Sequence, residues 1–531
     1  MNKSFCNSCR KLVPARRADR DGKVYLVKDC PQCGTTETMI SSDAARANSK
    51  RSLDGSYRYR GCDLNCLECG HKGRPMYAFV DITNRCNLNC PICCDGVPGL
   101  GFNFEPPMEY FHKLFGHLAR LDPPPSIAFF GGEPTVREDL FEIIKLADSY
   151  GLRKRILTNG LKLADEAFCR RLIESGTMIL MSYDGKNPDT YRQLRGNARA
   201  AELKLRALQN IRKIAQTTPV RLGLISCLGW GLNEHELPEI VELCHEHRGH
   251  MRDLYLMPLT PTWDVSQFQY APERMTTEDV ERLLAGCFPG QKVDFLPVGF
   301  VAEFTTITRY IGTAALAYRG AHPNCESVFL LVSNGERYLP ITHFLKGSLT
   351  ELAEGFGRLN ERLAAREKRW QQGKGLFGRA LGALGLRGRV LGLQATAGVL
   401  GVLLRHLRLG RVFKGRGPGK LWHALAFIGG LVLGRRGAGQ RHTNLHCVLQ
   451  VIVLPLEDER VVETERLERC PTTHAYYDPR EDRVKYCPVC AWYLHIKTIL
   501  RGLADYYAAH APSAAGPQQL ATRAPATAEN S

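Results

Sequence analysis

The sequence has no run of 18 or more apolar residues, whereas a bilayer-spanning helix needs about 20, so no segment is expected to cross a membrane. Its first ten residues are polar and include Cys6 and Cys9, unlike the basic and apolar regions of a secretory signal. A cytoplasmic chain is the expectation. Wholesale disorder and collagen-like order are also missing: 24% of residues are charged, and the 50 Gly and 29 Pro follow no period. Only the Ala/Pro/Thr-rich end, residues 509–531, reads as a disordered tail. Acid is scarce in one place. Residues 366–441 hold 16 Lys or Arg against the single acid Glu367, so this segment carries most of the net charge of +17.

Cysteine, by contrast, is abundant, at 20 residues. In a reducing compartment thiols clustered at short spacings argue for metal rather than cross-links. Cys6-x2-Cys9 and Cys30-x2-Cys33 bracket the strand-like Gly22-Lys-Val-Tyr-Leu-Val, so the spacing predicts a small ribbon with one tetrahedral site. Zinc and a rubredoxin-like single iron fit these four thiolates equally. Two triplets of identical spacing follow, Cys62-x3-Cys66-x2-Cys69 and Cys86-x3-Cys90-x2-Cys93. Three thiolates on one loop can hold three irons of a four-iron cluster and leave the fourth iron for another ligand.

Beyond the second triplet the hydrophobic pattern alternates strand and helix, the sign of a parallel sheet with crossover helices. Strands are expected near 77–82, 127–130, 153–157, 178–183, 220–227 and 252–257. Helices are expected over 107–121, 138–150, 165–175, 189–215 and 234–248. The fold class is α/β.

The second triplet sits in Asn84-Arg-Cys-Asn-Leu-Asn-Cys-Pro-Ile-Cys93, after the strand Tyr77–Thr83, and about 40 residues on a strand ends in Gly131-Gly132-Glu133-Pro134. Here the sequence resembles the radical S-adenosylmethionine enzymes. The resemblance implies a partial (β/α)6 barrel with a [4Fe-4S] cluster on Cys86, Cys90 and Cys93. It also implies S-adenosyl-L-methionine bound near Gly131, Gly132, Glu133 and Pro134, with nucleoside contacts from Asn159 and Ser182 at later strand ends. Ile92, before the third cysteine, departs from the aromatic residue common in that superfamily.

Of the ten remaining cysteines, Cys325, Cys447, Cys470, Cys487 and Cys490 suit auxiliary clusters, and Cys169, Cys227, Cys244 and Cys287, on helices or strands of the barrel region, read as buried small hydrophobes. The pairing expected is Cys325 with the triplet Cys62, Cys66 and Cys69, and Cys447 with Cys470, Cys487 and Cys490. The chain then divides into a four-cysteine ribbon (1–60), an auxiliary triplet (61–75), the barrel (76–260) and a substrate and auxiliary-cluster region (261–365). A basic insert (366–441), a C-terminal auxiliary-cluster domain (442–508) and the tail complete it. Within the insert, apolar Gly-rich stretches of about 14 residues alternate with cations and carry Trp422 and Phe427. That pattern suits a membrane surface and fits nucleic acid poorly.

Taken in order, the ribbon, the paired triplets, Gly-Gly-Glu-Pro, His322-Pro-Asn-Cys325 and Cys487-Pro-Val-Cys490 are similar to the tetraether lipid synthase family and its bacterial membrane-spanning lipid synthase relatives. The similarity implies joining of two lipid tails through sp3 carbons by hydrogen abstraction, at the inner membrane face. It implies two auxiliary clusters, a rubredoxin-like ribbon and an electron donor such as a ferredoxin or flavodoxin. Methylation of a pterin or other small molecule, and peptide modification, are the alternative readings.

Overall fold

The computed structural model describes residues 1–54, 57–69, 71, 75–263, 273–312, 318–372, 375–383, 385–432 and 438–510; the tail expected over 509–531 lies largely outside them. The ribbon is a four-stranded antiparallel sheet, β1 (Lys3–Phe5), β2 (Leu12–Arg20), β3 (Lys23–Cys30) and β4 (Gly34–Ser41), paired in that order.

Six parallel strands follow: β5 (Tyr77–Thr83), β6 (Ser126–Gly131), β7 (Lys154–Thr158), β8 (Met178–Ser182), β9 (Leu222–Leu228) and β10 (Met251–Pro258), each bonded to the next. These are the six expected units. Alternation along β5 shows why the sheet buries both faces: Ala78, Val80 and Ile82 pack on the helix layer with Phe111 and Leu114, while Phe79 and Asp81 meet Phe130 and His474 on the other side. The helix expected over 189–215 is two, Pro188–Arg195 and Ala200–Ile214, because Gly196 takes a left-handed φ of 70° and caps the first.

Later strands extend this sheet at both edges. After β11 (Leu296–Pro297), β12 (Ser327–Ser333) and β13 (Tyr338–Pro340) comes β14 (Cys447–Val453), which pairs parallel to β10 and antiparallel to β12. On the other edge β15 (Thr472–Asp478) runs parallel to β5, and β16 (Arg483–Pro488) folds back on it. Residues 442–508, read as a C-terminal domain, thus supply strands to both edges of the barrel sheet. Segment 366–441 is helical among its described residues, chiefly in Arg387–His406 and Pro418–Val432. No helix among the described residues is long and apolar enough to cross a membrane.

Buried ion pairs weld the ribbon to the barrel. Lys50 Nζ lies 2.7 Å from both Glu278 and Glu281, and Arg17 Nη2 lies 2.8 Å from Glu463. Removing one partner of such a pair strands the others in a dry interior. Lys50→Ala should therefore lower unfolding stability by about 3–5 kcal/mol, read as a fall in the urea midpoint, whereas exposed Lys11→Ala should leave it unchanged.

Candidate functional site

The loop that carries Cys86, Cys90 and Cys93 leaves the C-terminal end of β5 and is pinned where it returns. Asn84 Nδ2 donates to the Phe102 carbonyl and Asn84 Oδ1 accepts from Phe104 N, both at 2.7 Å. At the end of β6, Gly132 N donates to Thr83 O (2.9 Å) and Glu133 N to Arg85 O (2.8 Å). A Cβ on Gly131 would stand 2.0 Å from Thr83 O, and one on Gly132 2.3 Å from Arg85 O. Only glycine lets the two backbones meet. Gly196 does the same on the far side, where a Cβ would be 2.7 Å from Asn89 O.

Glu133 is 1% exposed, and four donors fill its carboxylate: Thr135 N and Oγ1, Thr158 Oγ1, and Asn159 N. Burial pushes its pKa up against those bonds. Pro134 opens the short turn that follows. Asn159 Nδ2 reaches the loop itself at Asn87 Oδ1 (2.7 Å), so β6 and β7 both hold it. Ser182 is engaged by Lys204, whose Nζ donates to its carbonyl (2.6 Å) and its hydroxyl (2.7 Å). Outside the loop lies a cavity of about 770 Å3 lined by Cys86, Asn87, Asn89, Phe102 and Asn197, among others.

The electrostatics suit three thiolates on a metal. Burial pushes the metal-free Cys86 and Cys93 thiols up to about 11 and about 12, so anionic sulfur here requires positive charge nearby. Arg195 and Lys204 supply it, both acting on Cys90. Arg195 is fixed by a two-bonded pair with Asp184 (2.8 and 2.9 Å), and burial drives Lys204 down to about 8. Neither cation was anticipated from the sequence. The available signal was Lys204 itself, which interrupts the buried stripe Ala200, Ala201, Ala207, Leu208 and Ile211.

A second polar group inside the barrel also went unread. Asp81 accepts from His474 Nδ1 at 2.6 Å, and the His474 ring lies flat on Trp492, 4.2 Å between centroids at 5°. Asp95, on the cluster loop, is pushed by burial up to about 7 beside them. The pair joins β5 to β15, residues 393 positions apart, and no sequence spacing reports that.

Among the outer cysteines the electrostatic neighbours are not the expected partners. Cys487 lies with the first triplet: hydrogen bonds from Cys487, then His495, hold the Cys66 thiol down to about 5. Cys325 lies instead with Cys470 and Cys490, the three coupled electrostatically around Arg466, which is paired with Glu457 at 2.8 Å. Cys447 belongs with neither. It starts β14 opposite Ser333, six residues from Val453, whose partner Ser327 follows Cys325; that is about 20 Å of strand. Cys62 accepts a weak bond from Leu64 N (3.5 Å), and the side chain of Cys69 lies outside the described residues. In the ribbon, the sulfurs of Cys6, Cys9, Cys30 and Cys33 all lie within 4.8 Å of one another, a spacing that one ion can close. Amides of Cys9 and Ser8 hold the Cys6 thiol down to about 6.

Two tests follow from this geometry. Gly132→Ala should cost about 1–3 kcal/mol and remove the iron of the loop cluster, seen as a lower melting temperature and lost S-adenosylmethionine cleavage. For the outer groups, Cys325→Ala, Cys470→Ala and Cys490→Ala should each lose the same iron, about four per chain, without further loss on combination, while Cys447→Ala keeps the full count.

Residues 80–244 match the Radical SAM superfamily, and residues 1–42 match the HMPTM N-terminal zinc ribbon domain. The chain is 30% identical over 357 residues to 7,8-dihydro-6-hydroxymethylpterin dimethyltransferase of Methanocaldococcus jannaschii, covering 64% of this chain and 70% of that one. It is 33% identical over 217 residues to Fe-coproporphyrin III synthase of Methanosarcina barkeri, covering 41% of this chain and 49% of that one. The crystal structure of Streptococcus suis SuiB bound to S-adenosylmethionine aligns with 52% of this chain and 68% of its own, at 12% identity and a TM-score of 0.34. The superfamily match spans β5 to the helix after β9, and so contains both the three-thiol loop and the glycines that seat it. On that loop and on the extent of the methanogen relative, the chain belongs to the radical S-adenosylmethionine superfamily of iron-sulfur enzymes.

Proposed function

We propose that this chain forms a carbon–carbon bond at an unactivated carbon of its substrate. The S-adenosylmethionine and [4Fe-4S] cluster of this superfamily, held by Cys86, Cys90 and Cys93, supply a carbon radical able to take hydrogen from an sp3 C–H bond. Acid–base chemistry has no purchase on such a bond. The chain's own part is to hold the loop on Gly131 and Gly132 and to keep Lys204 and the Arg195–Asp184 pair near Cys90. One observation carries the reading: two further sets of neighbouring cysteines, Cys66 with Cys487 and Cys325 with Cys470 and Cys490, lie in the segments that flank the barrel strands. Joining carbon to carbon takes a second reactive centre besides the one that removes hydrogen.

The substrate class best supported by the comparisons is a reduced pterin, since the methanogen relative is named as a dimethyltransferase of one, and methylation on carbon is the form that fits the proposed bond. Coupling of lipid tails is the second reading, supported by the exposed apolar helices of the basic insert and by the order of cysteine motifs. Both are tested in one experiment. The chain and its Cys90→Ala variant are produced in an anaerobic host, and pterins and hydrolysed lipids are analysed by mass spectrometry. Methylated pterin that requires Cys90 supports the first class, and species equal to two tails less two hydrogens support the second. Neither product, from protein that still cleaves S-adenosylmethionine with both pterin and lipid present, overturns the proposal.

A further inference from the structure

The helix Arg387–His406 is apolar on two opposite faces. On its inner face Ala395, Val399 and Val402 pack on Leu359, Leu363 and Ile307, and Leu391 packs with Trp370 and Leu381. Its outer face carries Leu393, Leu400 and Leu404, spaced seven and four residues apart and between 49% and 71% exposed. A helix that is apolar all round is normally covered on every side, yet no described residue covers this one. The helix Pro418–Val432 repeats the pattern with Leu421, Trp422 and Leu425, each at least 60% exposed. Of the large apolar side chains that are exposed among the described residues, most belong to these two helices and the turn between them, which adds Leu409. Isolated exposed leucines are ordinary, but several on successive helices mark a surface that meets something apolar.

The charge around these faces identifies the chemistry of that partner. Arg389, Arg405, Arg408, Arg411 and Arg416 are exposed on the same segment. Its single acid, Glu367, is already taken by Arg309 and Tyr310, both at 2.8 Å. The segment's own surface is therefore apolar and cationic, and the exposed acids nearby, Glu354 and Glu361, belong to the helix Leu349–Gln371 packed against its inner face. A soluble protein partner would offer an apolar patch or an acidic one; a bilayer with anionic headgroups offers both at once, over an unlimited area. Neither helix is long and apolar enough to span it, but they can lie in its interface with the leucines and Trp422 among the acyl chains and the arginines at headgroup level.

We infer that the outer faces of Arg387–His406 and Pro418–Val432 are a docking surface for anionic lipid bilayers. This goes beyond the proposed reaction and holds for either substrate class, because it rests on the insert alone. For a lipid substrate it brings the barrel to its substrate, and for a pterin it fixes where the enzyme works.

The test is vesicle co-sedimentation of the full chain, isolated anaerobically with its iron, with no S-adenosylmethionine added. Vesicles of phosphatidylglycerol with phosphatidylcholine should bring the protein down at low salt, and phosphatidylcholine alone should not. Arg405→Ala with Arg408→Ala should weaken binding roughly 20-fold, and Leu393→Glu with Leu400→Glu and Leu404→Glu should abolish it. Iron content and S-adenosylmethionine cleavage should be unchanged in both variants, which separates failure of docking from failure of the chemistry. Equal binding to neutral vesicles, retained binding in the leucine variant, or a dimer in light scattering that the leucine variant dissolves would each overturn the inference. So would tighter binding to RNA than to anionic vesicles.

Discussion

Close approach of two backbones is the constraint on which the rest of the site depends. The cluster loop has no regular structure of its own over Asn84–Cys93, so its position comes from what it rests on. Gly131 and Gly132 let Thr83 and Arg85 hydrogen-bond directly to the end of β6, and Gly196 lets Asn89 sit against the break between two helices. Glycines at two places far apart in sequence thus define one loop. A methyl group at any of them would strike a carbonyl, not a side chain that could turn away.

Charge in a dry interior is the second constraint, and the structure meets it the same way at each thiol group. Arg195 and Lys204 face Cys90, Arg466 faces Cys325 and Cys490, and Lys28 acts on Cys6. Each cation is itself costly to bury; Lys28 and Lys204 are both driven down to about 8. Carboxylates offset most of that cost, Asp184 for Arg195 and Lys204, Glu457 for Arg466 and Asp458 for Lys28, and a thiolate nearby adds to it.

The C-terminal segment reaches both edges of the sheet, and this decides the grouping of cysteines. β14 adds to β10 and β15 to β5, so residues close in sequence separate and distant ones meet. Cys487 and Cys490 share a Cys-x2-Cys motif yet go to different groups, one beside Cys66 and the other beside Cys325. The turn from β16 into the helix Val489–Ala509 falls between them, so one cysteine ends a strand and the other opens a helix.

Much was legible in the sequence because it is local. Hydrophobic alternation predicted the six parallel strands, and short cysteine spacings predicted the ribbon site and the radical loop, since ligands three or four residues apart cannot be far apart in space. The split of the expected helix over 189–215 at Gly196 was locally signalled as well, though it was read as continuous. Tertiary structure alone decided what depends on long-range pairing: Cys487 beside Cys66, Asp81 with His474, and Arg195 and Lys204 turned toward Cys90. It also decided that Cys447 stands apart, because register along β14 puts it a full strand length from Cys325. Spacing reports distance only while the chain is short, and beyond a few residues it is strand order and register that set which side chains meet.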